Sequence, residues 1–245
     1  MEVQRFETYE ELCERIGDEI AAELRENPKM TLSIAAGHSS LGVLKVLREY
    51  YEAGKVDFSH ANFVELDEWL GMSEETPNSC GAFLKAELLD VVPFGKVRLF
   101  DGTLEDVESE CRAVEEFIEK ESKEGRIDYL ILGCGMNGHL GLNEPGTPFD
   151  SRTRVTELDS VTLEVGQKYF KEQTKLEGGI TLGMLNFQQA KRTVLIFSGA
   201  HKREALIKTL QEPVSVKWPA SAIRTYENAA VFYDADAGEA DLETK

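Results

Sequence analysis

One stretch of the chain places a histidine and a glutamate on a glycine-rich turn directly after an apolar segment. The segment spans residues 127–132, and the turn that follows carries His139 and Glu144, five residues apart. An imidazole has the unperturbed pKa nearest neutrality, and a nearby carboxylate can orient it and raise its basicity. The stretch therefore predicts acid/base chemistry in a loop at the end of a strand.

The same stretch matches a dinucleotide-binding fingerprint, Gly133-x-Gly135-x-x-Gly138. That fingerprint needs a helix that begins at the third glycine, because the helix N-terminus binds the pyrophosphate. Pro145 and Pro148 follow within ten residues, so a long helix cannot begin there. We therefore favour the acid/base interpretation over nucleotide binding.

Length and composition indicate a protein with a full hydrophobic core. The chain has 245 residues, 42% of them hydrophobic, enough for one large α/β domain or two tightly joined lobes. No apolar run approaches 18 residues, and the first residues lack the basic and apolar regions of a signal peptide. We expect a soluble, cytoplasmic protein.

Cysteine spacing and net charge disfavour several function classes. The four cysteines form no Cys-x-x-Cys pair, which is typical of reduced thiols and argues against structural zinc. Cys134 lies in the histidine-bearing turn, where a small buried filler is the favoured interpretation. A net charge of −18 disfavours nucleic acid and membrane partners, so an anionic substrate would need a locally positive pocket.

Strand and helix signals alternate along the chain, which predicts an α/β fold with a mainly parallel sheet. Thr8 is a possible cap for the first helix, and an acidic tail is expected from about Asp234. The predicted helices span residues 6–27, 41–51, 82–89 and 104–124, and the predicted strands span residues 31–35, 61–66, 96–100, 127–132, 153–158, 180–182, 193–197 and 229–233.

Three segments share one arrangement, an apolar strand followed at its carboxyl end by polar residues: 37–40, 67–68 and 137–144. Ligands bind at the carboxyl ends of strands in open α/β sheets, so the three segments can converge. The first offers an anion site at a helix start, although its serines could equally only cap the helix. The second pairs two carboxylates, one of which could act as a base, with a solvated turn as the alternative.

Longer motifs surround these residues. Residues 133–139 read Gly-x-Gly-x-Asn-Gly-His, residues 143–147 read Asn-Glu-Pro-Gly-Thr, and residues 149–154 read Phe-Asp-Ser-Arg-Thr-Arg. Together they closely resemble the longest signature of the glucosamine-6-phosphate deaminase family, which is related to the 6-phosphogluconolactonases. Residues 66–71 resemble its Met-Asp-Glu-Tyr-x-Gly segment, and residues 198–202 its phosphate-binding lysine segment.

The resemblance spans about residues 30–235 and implies one domain with a Rossmann-like open sheet flanked by helices and no bound nucleotide. It implies conversion of a small-molecule amino-sugar 6-phosphate, glucosamine or galactosamine 6-phosphate, to a ketose 6-phosphate plus ammonia. No metal or organic cofactor is implied, and a homo-oligomer is left open.

The resemblance also implies residue roles. His139 would open the sugar ring by proton transfer at the ring oxygen, assisted by Glu144 and held by Asn137. Asp67 would then move a proton between C2 and C1. Glu68 would support Asp67 rather than react. The substrate-binding and phosphate-binding residues would be Gly37, His38, Ser39, Ser40, Glu68, Gly138, Lys168 and Lys202.

Three positions depart from the family pattern. Residues 36–40 read Ala-Gly-His-Ser-Ser where the family usually has Thr-Gly-Ser-Thr-Pro, so His38 could bind the anion, distinguish an epimer or be exposed. Asn137 stands where some members have aspartate, so it can hold the histidine but adds no charge. Lys168 replaces an arginine and lacks its bidentate fork.

Two other functions stay open. This chain has Asn-Glu-Pro-Gly at residues 143–146 and Asp-Glu-Trp at residues 67–69, where the lactonases usually carry Leu-Phe-Pro-Gly and Asp-Glu-Arg. Both differences favour the deaminase branch. A non-catalytic sugar-phosphate-binding protein is the second alternative, although Asp67, His139 and Glu144 are all retained.

Some family members are activated by an N-acetylated sugar phosphate that binds a patch just after the Glu-Pro pair. In this chain Arg154 remains there, but Pro148 lacks an N–H group and Thr156 replaces a cation. We therefore predict no such activation, with Arg152 and Arg154 serving structure or the active-site lid.

Overall fold

A seven-stranded parallel sheet forms the centre of the molecule. The computed structural model describes residues 1–170, 174–239 and 242. The strands of this sheet are β1 (Glu2–Phe6), β2 (Thr31–Ile34), β3 (Asn62–Val64), β5 (Lys96–Arg98), β6 (Tyr129–Gly133), β9 (Arg192–Phe197) and β10 (Ala229–Asp234). The strand order is β1-β10-β9-β6-β2-β3-β5, and every neighbouring pair runs parallel. The predicted α/β fold with a mainly parallel open sheet is confirmed.

Helices cover both faces of this sheet. The α-helices are α1 (Tyr9–Glu26), α2 (His38–Glu52), α3 (Cys80–Leu84), α4 (Val107–Glu121), α5 (Ser160–Gly166), α6 (Met184–Gln189) and α7 (Arg203–Gln211). Alternate residues of β6 face opposite sides of the sheet. Tyr129 and Ile131 pack into one buried cluster with α1 and α2, while Leu130 and Leu132 pack into another with α4 and α7. None of the helices in the described parts of the chain is both long and apolar enough to span a membrane.

A second, antiparallel sheet of three strands lies beside the first. Its order is β4-β8-β7, formed by β4 (Asp67–Trp69), β8 (Gly179–Thr181) and β7 (Arg154–Thr156). Sequence patterns predicted strands near β7 and β8 but not that they form a separate sheet. They also placed Asp67 on the end of β3, whereas it begins a strand of its own.

Both ends of the chain differ from the prediction. The sequence patterns did not predict the first strand, β1, which has five residues. The first helix therefore begins later than predicted, at Tyr9, and the Thr8 side chain caps it as expected. Asp234 does not begin a tail: it ends β10 and is 5% exposed. Its carboxylate accepts hydrogen bonds from the Ser198 hydroxyl and the Gly199 N–H. Residues 240–241 and 243–245 of the predicted tail lie outside the described residues.

Candidate active site

A cavity of about 250 Å³ opens at the carboxyl ends of β2 and β6. The three predicted segments meet there, since residues 37–40, Asp67 and His139 all line it. Lys202 joins them from the turn that precedes α7. An apolar wall faces these polar groups, and it is formed by Leu66, Trp69, Phe83, Leu142, Val161 and Val165.

One side of the cavity consists mainly of backbone at the start of α2. Gly37 precedes α2 with a φ of 131°, and it, not a serine, occupies the cap position without a side-chain hydrogen bond. The Ser40 hydroxyl instead donates to the backbone carbonyls of Ala35 and Gly37. No side chain caps the start of this 15-residue helix, and the positive end of its dipole favours an anion there.

Two further contacts hold this helix start in place. The Tyr9 hydroxyl donates to the Ser39 carbonyl at 3.0 Å and accepts from the Gly42 N–H at 2.9 Å. His38 is exposed at the first turn of α2 and lines the cavity. Its position is compatible with anion binding or epimer discrimination.

Lys202 supplies a cation to the same cavity. Its ammonium group donates to the Cys134 carbonyl at 2.6 Å, and burial lowers the pKa of Lys202. The preceding turn is held by Asp234, whose carboxylate accepts from the Gly199 N–H at 3.0 Å. The ammonium group is thus fixed at the cavity rather than extended into solvent.

Asp67 brings a carboxylate to the opposite side. Burial, reinforced by the charge of Glu68, raises the pKa of Asp67 to about 7. A general base is most effective when its pKa lies near the working pH. The position of Asp67 thus provides a base that is effective near neutrality.

Glu68 lies outside the cavity lining, and its role as a substrate-binding residue stays a prediction. Its side chain is fully buried and accepts backbone hydrogen bonds from Trp69, Cys80 and Gly81 at 2.8, 3.1 and 2.9 Å. These bonds attach β4 to the start of α3. Glu68 therefore supports the segment that carries Asp67.

A connected side-chain network orients His139. The Asn137 amide nitrogen donates to Glu144 Oε2 at 2.8 Å, so the Asn137 oxygen faces His139 Nδ1, 2.7 Å away. An amide oxygen only accepts, which assigns the proton to Nδ1 and leaves Nε2 with its lone pair. Burial lowers the pKa of His139, and the charge of Glu144 opposes this effect. Burial thus favours the neutral form of the imidazole.

Two glycines make room for this network. A Cβ atom on Gly135 would lie 2.2 Å from His139 Cε1, so only glycine lets the imidazole pack there. Gly138 has a φ of 85°, and a Cβ atom on it would lie 2.4 Å from Trp218 Cδ2. Gly138 lies outside the cavity lining, and its role as a substrate-binding residue stays a prediction.

Comparison with known proteins identifies the family. The model described as glucosamine-6-phosphate isomerases/6-phosphogluconolactonase matches residues 4–232. The chain belongs to this family. A glucosamine-6-phosphate deaminase of Thermoanaerobacter sp. (strain X514) is 34% identical over 94% of this chain and 90% of its own. Glucosamine-6-phosphate deaminase 1 of Bacillus subtilis (strain 168) is 32% identical over 97% of this chain and 98% of its own length.

Solved structures agree with the family fold. A structure described as a monomeric glucosamine-6-phosphate deaminase has a TM-score of 0.91 and 31% identity, covering 97% of this chain and 98% of its own. A 6-phosphogluconolactonase from Thermotoga maritima has a TM-score of 0.74 and 20% identity, covering 95% and 98%, and shows the shared fold alone.

Within this isomerase/lactonase fold, two positions differ from the sequence-based expectation. Lys168 is exposed on the short turn Gln167–Tyr169 and does not line the cavity, so the structure does not bring it to the other predicted phosphate-binding residues. Thr162 on α5 was not predicted, yet its hydroxyl lies 3.0 Å from His139 Nδ1. A single threonine outside any motif carries no signal that could reveal such a contact.

Proposed function

We propose that this chain is an amino-sugar 6-phosphate deaminase that converts glucosamine 6-phosphate and water to the ketose 6-phosphate plus ammonia. One observation carries the proposal. A single cavity combines an aspartate whose pKa is raised to about 7, a histidine held by an amide that is itself bound to a carboxylate, and a helix N-terminus beside a lysine. The curated deaminases at 32–34% identity support the same function.

The phosphate group would bind the α2 N-terminus and Lys202. Backbone N–H groups and one ammonium group supply a local positive potential in a chain of net charge −18. The binding energy gained at the phosphate holds the sugar carbons at a fixed place relative to Asp67 and His139.

Ring opening would use His139. Its unprotonated Nε2 takes the proton from the anomeric hydroxyl and returns it to the ring oxygen, which yields the open-chain aldehyde. The imidazolium formed in between keeps its Nδ1–H bond to Asn137, whose amide in turn is bound to Glu144. The network stabilises the transient positive charge.

Isomerisation would then use Asp67. Its carboxylate removes the C2 proton while a proton of the substrate's C2 ammonium group moves to O1, which gives an enolamine. Asp67 then returns its proton to C1, which leaves an iminium at C2. Water adds at C2 and ammonia leaves, so the products are a ketose 6-phosphate and ammonia. A carboxyl group with a pKa of about 7 accepts and releases this proton at neutral pH.

The test is ammonia release from glucosamine and galactosamine 6-phosphate by wild-type protein and Asp67→Asn. We expect the variant to lose at least about 100-fold in turnover, since an amide cannot accept a carbon-bound proton. Sugar-phosphate binding, followed by calorimetry, should persist. The exposed Asp90→Asn is the matched control.

Two outcomes would contradict the proposal. Wild-type turnover in Asp67→Asn would remove Asp67 from the reaction. Hydrolysis of 6-phosphogluconolactone without ammonia release from either epimer, lost in His139→Gln, would assign the chain to the lactonase branch instead.

A further inference from the structure

His139 has a second partner that no sequence motif indicates. Its Nδ1 lies 2.7 Å from Asn137 Oδ1 and 3.0 Å from Thr162 Oγ1, while Glu144 Oε2 is 3.6 Å away. Thr162 is 3% exposed and belongs to α5, far along the chain from the glycine turn. The contact therefore links a separate cavity wall to the histidine.

The two partners differ in what they can do. Asn137 presents only an acceptor, because its nitrogen is committed to Glu144 at 2.8 Å. A hydroxyl can donate or accept, and beside an Nδ1–H group the Thr162 oxygen accepts. The Nδ1 proton is thus shared between two neutral oxygens, and no carboxylate of the described residues lies within hydrogen-bond distance of Nδ1.

We propose that Thr162 is a positioning residue that holds the imidazole ring of His139 and supplies the second acceptor for its Nδ1–H when the ring becomes an imidazolium. The ring-opening role rests on the proposed function, whereas the contact itself does not. The Thr162 hydroxyl adds stabilisation where Asn137 brings no charge.

Charged groups around His139 set the background for a test. They come from three elements: Glu144 on the same loop, Lys202 on the turn before α7, and Asp159, which caps α5. A change confined to the Thr162 hydroxyl leaves all three in place. A change in the pKa of His139 then reports the lost acceptor.

The experiment uses two pairs that differ mainly in the hydroxyl, wild type against Thr162→Val and Thr162→Ser against Thr162→Ala. Nuclear magnetic resonance titration of the His139 imidazole gives its pKa, with His139→Gln assigning the signal. Ammonia release gives kcat and KM, and thermal unfolding checks that each variant folds. If valine prevents folding, the serine and alanine pair carries the test.

We expect the hydroxyl-free variants to show a lower pKa of His139 and a kcat reduced by about ten-fold, with KM nearly unchanged, and serine to retain both properties. An unchanged His139 pKa and kcat in folded Val and Ala variants would overturn the proposal. A loss confined to KM would instead make Thr162 a substrate contact. Absence of ammonia release from wild type would overturn the proposed function, while the titration would still decide the Thr162 contact.

Discussion

The two sides of the cavity present different chemical groups, mainly backbone on one side and side chains on the other. The anion side uses backbone N–H groups at the start of α2, and Lys202 is the only cation among the described residues lining the cavity apart from histidines. The acid/base side uses side chains alone: Asp67 on β4 and His139 within a network of Asn137, Glu144 and Thr162.

This difference has a physical consequence. Backbone groups at a helix start are fixed by the helix, so binding there tolerates side-chain changes nearby. The acid/base side depends on distances between side chains from β4, α5 and the glycine turn, and each is held by packing. Perturbing the packing should therefore damage turnover far more than phosphate binding.

The largest effect should follow Gly135→Ala. The added methyl group would fall 2.2 Å from His139 Cε1, so the imidazole must move. We expect a loss of about 100-fold or more in kcat, as for a reacting group displaced by about 1 Å, with sugar-phosphate binding retained. Ammonia release and calorimetry measure the two properties.

Gly146→Ala is the matched control, because it lies on the same loop and an added Cβ atom would meet nothing within 4 Å. Gly146 has a φ of 99°, so its alanine variant carries backbone strain that Gly135→Ala lacks, while only Gly135→Ala creates the clash. Wild-type kcat in Gly135→Ala would refute the steric explanation.

The next effect concerns the anion side. Lys202→Ala removes the ammonium group from the cavity and should raise KM about ten-fold or more, with a smaller loss of kcat. The exposed Lys217→Ala serves as control. An unchanged KM would remove Lys202 from the phosphate site, and a large rise in Lys168→Ala would place that residue there instead.

The acid/base side should also lower stability in a pH-dependent way. The folded-state pKa of Asp67 is about 7, above the unfolded value of about 4, so the folded state binds this proton more tightly. The contribution of Asp67 to the free energy of unfolding therefore falls as pH rises from about 4 to about 7.

Asp67→Asn removes this pH-dependent decrease in the free energy of unfolding, because the amide does not titrate. We expect the variant to have a higher Tm than wild type at about pH 8 and almost no advantage near pH 4, where the carboxyl group is protonated in the folded state and about half protonated in the unfolded state. Asp90→Asn should show no such difference. Equal Tm values for Asp67→Asn and wild type at both pH values would show that Asp67 is not held at a raised pKa.

The smallest effect is expected outside the cavity. Arg152 pairs with Glu115 at 3.2 Å, and Arg154 donates to the Thr147 hydroxyl at 2.7 Å, so both arginines already have protein partners. We expect hyperbolic kinetics with no response to N-acetylglucosamine 6-phosphate. Sigmoidal substrate dependence that this compound relieves would refute the prediction.

Sequence patterns alone determined the parallel α/β fold and the loop that carries His139. Buried strands of a parallel sheet form continuous apolar runs in the sequence. Residues that break regular structure, such as Pro145, mark the loop that follows. Because strand ends gather at one sheet edge, the meeting of residues 37–40 with Asp67 and His139 also followed from the sequence.

Only the tertiary structure decided which of these side chains enter the cavity. Glu68 and Asp67 are neighbours, but successive residues of a strand point to opposite faces, so one lines the cavity and the other binds the start of α3. Thr162 reaches His139 from a separate element. Such contacts depend on how α5 and the antiparallel sheet pack across the main sheet, and residue spacing along the chain does not encode that distance.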